Sequence, residues 1–152
     1  MMKHFSVIAL LFSLFATSFS GAQTKTTQKE KFEAQYNATK TLVKSKSYTY
    51  IGEVVFNDEK RELLQAETNY IDINNSDVLS SIQALGQKQP VEVNGSIDNY
   101  SVNFDDGKQV IVITFVSNAN EFSIEIKPTG KAFLTMNASG HLIKQAGFIK
   151  PL

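Results

Sequence analysis

Between Ile97 and Ile149 the chain falls into short runs of alternating apolar and polar residues, each separated from the next by a turn sequence. Tyr100, Val102 and Phe104 alternate with Asn99, Ser101 and Asn103. Phe122, Ile124 and Ile126 alternate with Ser123, Glu125 and Lys127. Strict alternation puts one face of a strand in a core and the other in water. The separators are Asp105-Asp106-Gly107-Lys108, Asn118-Ala119-Asn120, Pro128-Thr129-Gly130 and Ala138-Ser139-Gly140. Gly107 is expected to supply the positive φ that a tight hairpin needs, and Pro128 and Gly130 suit a turn for the same kind of reason. Four consecutive hairpin links predict an antiparallel meander. Val110 to Val116 is apolar in both registers and predicts a central strand covered on both sides.

Upstream the periods change. Residues 27–44 place Phe32, Tyr36 and Val43 near one side, with Thr39 and Leu42 beside them, and carry acids early and lysines late. That is a helix aligned with its own dipole. Tyr48 to Phe56 is rich in β-branched and aromatic residues and predicts a strand with Tyr48, Tyr50, Val54 and Phe56 on one face. A second strand is predicted over Thr68 to Ile73. In the stretch from Asn74 to Gln89, Asp77 caps a short helical turn through Val78, Leu79 and Ile82, ended by Gly86. The fold expected is α+β: an N-terminal helix packed on a curved, mostly antiparallel β-meander of about seven strands. Two arrangements bury such a pattern, an open curved sheet or a sheet rolled toward a partly closed barrel.

Residues 1–22 predict the compartment. Lys3 and His4 precede an uncharged apolar stretch from Phe5 to Phe19, and Ser20-Gly21-Ala22 offers small residues for cleavage before Gln23. This is the layout of a secretory signal peptide. A membrane-spanning helix needs about 20 apolar residues, and this run is shorter and interrupted by Ser13, Thr17 and Ser18. The chain is therefore expected to be periplasmic or secreted, with residues 23–152 forming a single β-rich domain and no stable membrane insertion after cleavage. There is no cysteine among the 152 residues, which excludes disulfides, cysteine-ligated zinc, thiol catalysis and lipid attachment at cysteine. A domain of this length buries about two-thirds of its unfolded surface and needs no staples. Basic and acidic residues number 15 each, so loss of Lys3 leaves one acid in excess. No basic run marks a nucleic-acid or anionic-lipid partner.

Motifs for chemistry are sparse. His141 is the only histidine after cleavage and sits beside a Ser-Gly turn, as surface histidines do. Asp105-Asp106 lacks the alternating oxygen ligands of a calcium loop and fits a turn. No glycine cluster has phosphate-loop or dinucleotide spacing. Asn94-Gly95-Ser96, Asn99-Tyr100-Ser101 and Asn137-Ala138-Ser139 match the glycosylation pattern by chance in an Asn-rich chain. No cofactor and no metal site is implied. Tyr48, Tyr50, Tyr70 and Tyr100 are strand tyrosines, able either to line a sugar or peptide groove or to sit at a core edge with the hydroxyl reaching water.

The order of features resembles one family. A leader precedes a helix bearing Phe32. The strand Tyr48-Thr49-Tyr50 follows, then Asn69-Tyr70-Ile71-Asp72, Leu85-Gly86 and Gly130-Lys131-Ala132. The tail is Ala146-Gly147-Phe148-Ile149-Lys150-Pro151. This resembles the domain-of-unknown-function family 4251 of exported Bacteroidota proteins, across almost the whole mature chain. The family has a Leu-Pro-Tyr-like turn before the mid-chain glycine, where this chain has Ile82-Gln83-Ala84-Leu85-Gly86. The resemblance implies export and architecture and brings no activity. Taken with the residues, it predicts a non-enzymatic module that binds a small molecule, a peptide or an envelope protein. The alternative is a hydrolase whose carboxylates are assembled only by the fold.

Overall fold

The structure is a computed structural model that describes residues 27–152; the leader expected over residues 1–22 lies outside them. Helix α1 (Gln28–Ser45) precedes ten strands: β1 (Ser47–Phe56), β2 (Arg61–Leu63), β3 (Tyr70–Asn74), β4 (Asp77–Ile82), β5 (Val91–Ser96), β6 (Asp98–Asp105), β7 (Val110–Ser117), β8 (Asn120–Ile126), β9 (Ala132–Ala138) and β10 (His141–Pro151). A 3-10 turn, Ala66–Thr68, lies between β2 and β3. The strands form one sheet in the order β5-β4-β3-β1-β10-β9-β8-β7-β6, with β2 paired to β1 off that path. Every pairing is antiparallel. The two ends of the order, β5 and β6, are joined by Ile97 alone, so the sheet must roll to bring them together. Ile97 N donates to Ser76 O at 2.7 Å, and Asn118 Nδ2 donates to Asn94 O at 3.0 Å. The result is a nearly closed barrel with one helix, the rolled alternative of the α+β expectation, with ten strands rather than about seven.

α1 begins in a capping box: Glu30 N donates to Thr27 Oγ1 and Thr27 N to Glu30 Oε2, which satisfies two orphan amides of the first turn. It ends at Lys46, whose φ of 52° is left-handed. Its buried stripe is Tyr36, Thr39 and Val43. The helix packs nearest β1 and β10, and its side chains reach β6 and the loop after it. Tyr36 and Lys40 reach Asp106, Lys40 and Lys44 sit over the Phe104 ring, and Lys46 sits over Tyr100. Covering a terminal strand of the sheet in this way hides apolar surface that a flanking strand would otherwise hide.

Four expectations need correction. Val54 and Phe56 do not share the face of Tyr48 and Tyr50, because the β1–β10 register shifts between Gly52 and Val54. Glu53 is the extra residue of a β-bulge. The alternation inverts behind it, so Val55 is buried while Val54 and Phe56 are half-buried on the outside. Asp77 starts no helical turn. Residues 77–82 form β4 between β3 and β5, reached through a two-residue turn in which Asn75 takes φ 55°. Val78, Leu79 and Ile82 fit a helical period, but Val78, Ser80 and Ile82 fit a period of two equally well, and pairing on both sides decides. β7 is not covered on both faces. Ile111, Ile113 and Phe115 point inward, whereas Val112 and Val116 are half-buried and Thr114 is exposed on the outer wall. Finally, Gly107 does not carry the positive φ of its turn. Gln109 does, at 56°, because the loop spans four residues and Asp105 Oδ1 accepts from Lys108 N to shape its first half.

The β7–β8 turn shows stored strain. Asn118 and Ala119 both have positive φ, 48° and 61°, and Ser117 pairs with Asn120 across them. This geometry suits Asn-Gly, but alanine holds the second place. Left-handed φ costs an alanine about 1–2 kcal/mol, while glycine adds about 0.4–1 kcal/mol of unfolded-chain entropy. The first term is larger, so Ala119→Gly is expected to stabilise the fold by about 0.5–1 kcal/mol in urea titration. Unchanged or lower stability would contradict this account of the turn.

Candidate functional site

The four strand tyrosines do not share a surface. Tyr48 and Tyr50 point into the barrel and are fully buried. Tyr48 Oη lies 3.0 Å from Tyr100 Oη, which ties the inner face of β6 to β1. Tyr50 Oη has no hydrogen-bond partner among the described residues. Burial pushes the hydroxyls of Tyr48, Tyr50 and Tyr100 up from their ordinary range. Tyr48 and Tyr100 thus join β1 to β6 across the interior, and Tyr50 fills the core beside them. Tyr70 is on the other side of the sheet and half-buried.

The Asp105-Asp106 pair, legible only as a turn, has two jobs. Asp105 shapes the loop, and Asp106 Oδ1 accepts from Tyr36 Oη at 2.5 Å and from Lys40 Nζ at 2.6 Å. Lys40 and Tyr36 hold the Asp106 carboxyl below its usual range. Burial and the Asp106 contact push the Tyr36 hydroxyl up to about 12. The cluster fastens the helix to the barrel. No Asp or Glu among the described residues is buried, and none of them forms a group of three or more side chains arranged for a metal ion.

The outer wall over β10, β1 and β3 is different. Alternation sends Ile51 outward opposite Tyr50, and Ile51 pairs with Phe148 on β10 and with Tyr70 on β3. The row Phe148–Ile51–Tyr70 therefore crosses three strands with an aromatic residue at each end. Ile51 between them is only 7% exposed, whereas Phe148 is 37% exposed. The next row is polar: Lys150 and Asp72 flank Thr49, and Thr49 Oγ1 donates to Asp72 Oδ1 at 2.6 Å. Both rows line a shallow trough of about 450 Å³ that Glu67 and Leu152 also border. Of the five exposed large hydrophobic residues among those described, Leu79 lies on β4, Leu142 and Phe148 lie on β10, and Leu152 directly follows β10. A contiguous apolar patch rimmed by polar groups is the usual mark of a binding surface.

A second outer hollow of about 490 Å³ lies under the 57–61 loop, with Phe56 and Phe133 at its base. Its wall is a charged run, two acids (Asp58, Glu59) followed by two bases (Lys60, Arg61), and it shows no aligned aromatic row. A third trough crosses the hydroxyl row Thr114–Ser123–Thr135. Of the predicted tyrosines, only Tyr70 lies in any of these. Phe148 and Ile51 escaped sequence reasoning because their meeting depends on the pairing of β1 with β10, which lie far apart in the sequence.

No protein-family model and no curated protein sequence matches the chain. Among solved structures it is similar to the crystal structure of a DUF4251 family protein from Bacteroides eggerthii, with a TM-score of 0.64 and 14% sequence identity over 78% of this chain and 89% of that one. At that identity the likeness is one of fold. The resemblance to the domain-of-unknown-function family 4251 thus extends to the three-dimensional architecture.

Proposed function

We propose that the chain is an exported, non-enzymatic binding module, periplasmic or secreted, whose recognition surface is the outer wall of β10, β1 and β3. The observation that carries this reading is the row Phe148–Ile51–Tyr70, an exposed and a half-buried aromatic flanking a buried isoleucine, beside the polar row Lys150–Thr49–Asp72. The leader-like residues 1–22 support export, and no described helix is long and apolar enough to cross a membrane. Against the carboxylate hydrolase stands the burial pattern. A general acid at neutral pH needs a desolvated carboxyl, and no described acid is buried. The occupant belongs to one of three classes: a small molecule, a peptide or an envelope protein.

The test is NMR chemical-shift mapping of the 15N-labelled protein against a soluble envelope extract of its own cells. Perturbation is expected at Ile51, Tyr70, Phe148 and their neighbours, and to be lost on Phe148→Ser. Perturbation centred elsewhere, or none at all, would remove this wall as the recognition surface.

A further inference from the structure

We propose that the β10–β1–β3 wall stacks a neutral oligosaccharide, an inference that rests on the binding reading above and names its ligand class. Tyr70 and Phe148 are partners of the same residue, Ile51, on either side of it. Their backbones are therefore two strand spacings apart, about 9.5 Å, a span comparable to a disaccharide. A pyranose ring has an apolar C–H face that packs on an aromatic ring and a rim of hydroxyls that both donate and accept. The wall offers the matching pair of surfaces. The aromatic row supplies the stacking faces, and one row along, about 6.6 Å away, Asp72 supplies an acceptor and Lys150 a donor. Thr49 holds the Asp72 carboxylate in place, so less side-chain freedom is lost on binding.

Charge argues for a neutral ligand. The rim carries Glu67 and Asp72 against Lys150, mixed signs that favour hydroxyls over an ion of either charge. Topology argues against an extended peptide joining the sheet. β10, β1 and β3 are each hydrogen-bonded on both sides, and strand addition needs a free edge. Area argues against a second copy. A standard interface buries about 800 Å² on each partner, far more than two rings around one isoleucine provide.

The experiment is a 15N NMR titration of the protein with cellotetraose, chitotetraose, maltotetraose and xylotetraose, each to millimolar concentration. At least one is expected to shift Ile51, Tyr70 and Phe148. Tyr70→Ala and Phe148→Ala are each expected to weaken that binding about tenfold. Tyr70→Phe keeps the ring and retains it, and Asn103→Ala on the far wall has no effect. Dispersed spectra of each variant establish that it folds. If the envelope extract perturbs the wall and no tetrasaccharide does, the saccharide assignment falls and the binding surface stands. If neither perturbs it, both fall. If the same residues shift on dilution of the protein alone, a second copy covers the wall and the assignment is overturned.

Discussion

Gly147→Ala is expected to cost about 3 kcal/mol or more of folding stability, the upper end of what overpacking does, out of the roughly 5–15 kcal/mol that holds a domain of this kind. Gly147 pairs with Gly52 where β10 crosses β1. A Cβ on Gly147 would sit 1.8 Å from the Ile51 carbonyl oxygen and 2.8 Å from its carbon. Those are backbone atoms of a central strand and have no rotamer to escape into. Either β1 and β10 part, or the bulge at Glu53 is lost with the inward placement of Val55. Two other glycines set the scale. At Gly52 a Cβ would meet Gln145 Oε1 at 2.2 Å, the far end of a side chain, so Gly52→Ala is expected to cost less. At Gly140 nothing lies within 4 Å and only the φ of 83° objects, so Gly140→Ala is expected to cost about 1 kcal/mol. Urea titration of the three variants checks the order. A Gly147→Ala protein as stable as Gly140→Ala would mean that the two strands are not held this close.

This contact also gives a physical reason for the glycine in the tail Ala146-Gly147-Phe148-Ile149-Lys150-Pro151, which sequence alone presents as a bare pattern. What could be read from the chain was what local chemistry dictates. The 97–149 hairpins follow from period two and from turn residues such as Gly130 and Gly140, and α1 follows from its stripe and its charges. The rest depended on partners distant in sequence. One residue, Glu53, inverts the faces of β1, and nothing in Tyr48–Phe56 marks it as extra. β4 has a sequence that suits two periods, and only β3 and β5 choose between them. The valines of β7 face outward because one face of the rolled sheet forms the core, and α1 packs toward β1, β10 and β6 rather than over the outside of β7. For the site, Tyr70 was visible as a strand aromatic. Its companions Ile51 and Phe148 required the register of β1 against β10, which no composition or spacing encodes.

Asn69→Ala is expected to be the most damaging polar substitution, at about 3 kcal/mol. Asn69 is fully buried at the entry to β3. Its Oδ1 accepts from Gln83 N at 2.9 Å and from Gln145 Nε2 at 3.2 Å. Its Nδ2 donates to Gln65 O at 3.1 Å and to Thr68 Oγ1 at 3.3 Å. Its backbone oxygen accepts from Gly52 N at 2.9 Å. One side chain therefore joins the 65–68 turn, the end of β4 and the floor of β10. Truncation strands the Gln83 amide, and a buried orphan costs about 1–3 kcal/mol; the Gln65 carbonyl keeps its bonds from Thr68 N at 3.2 Å and Thr68 Oγ1 at 3.3 Å. Gln145 keeps its bond to Gln83 O at 3.0 Å, which limits the loss. Asn69→Asp retains an acceptor for Gln83 and Gln145 but gives up both donated bonds and brings in a charge. A double-mutant cycle separates network from bulk: Asn69→Ala and Gln145→Leu are expected to couple by about 1 kcal/mol or more. Strict additivity of the pair would show that Asn69 acts through its own turn alone and that β10 is held to β3 and β4 by packing.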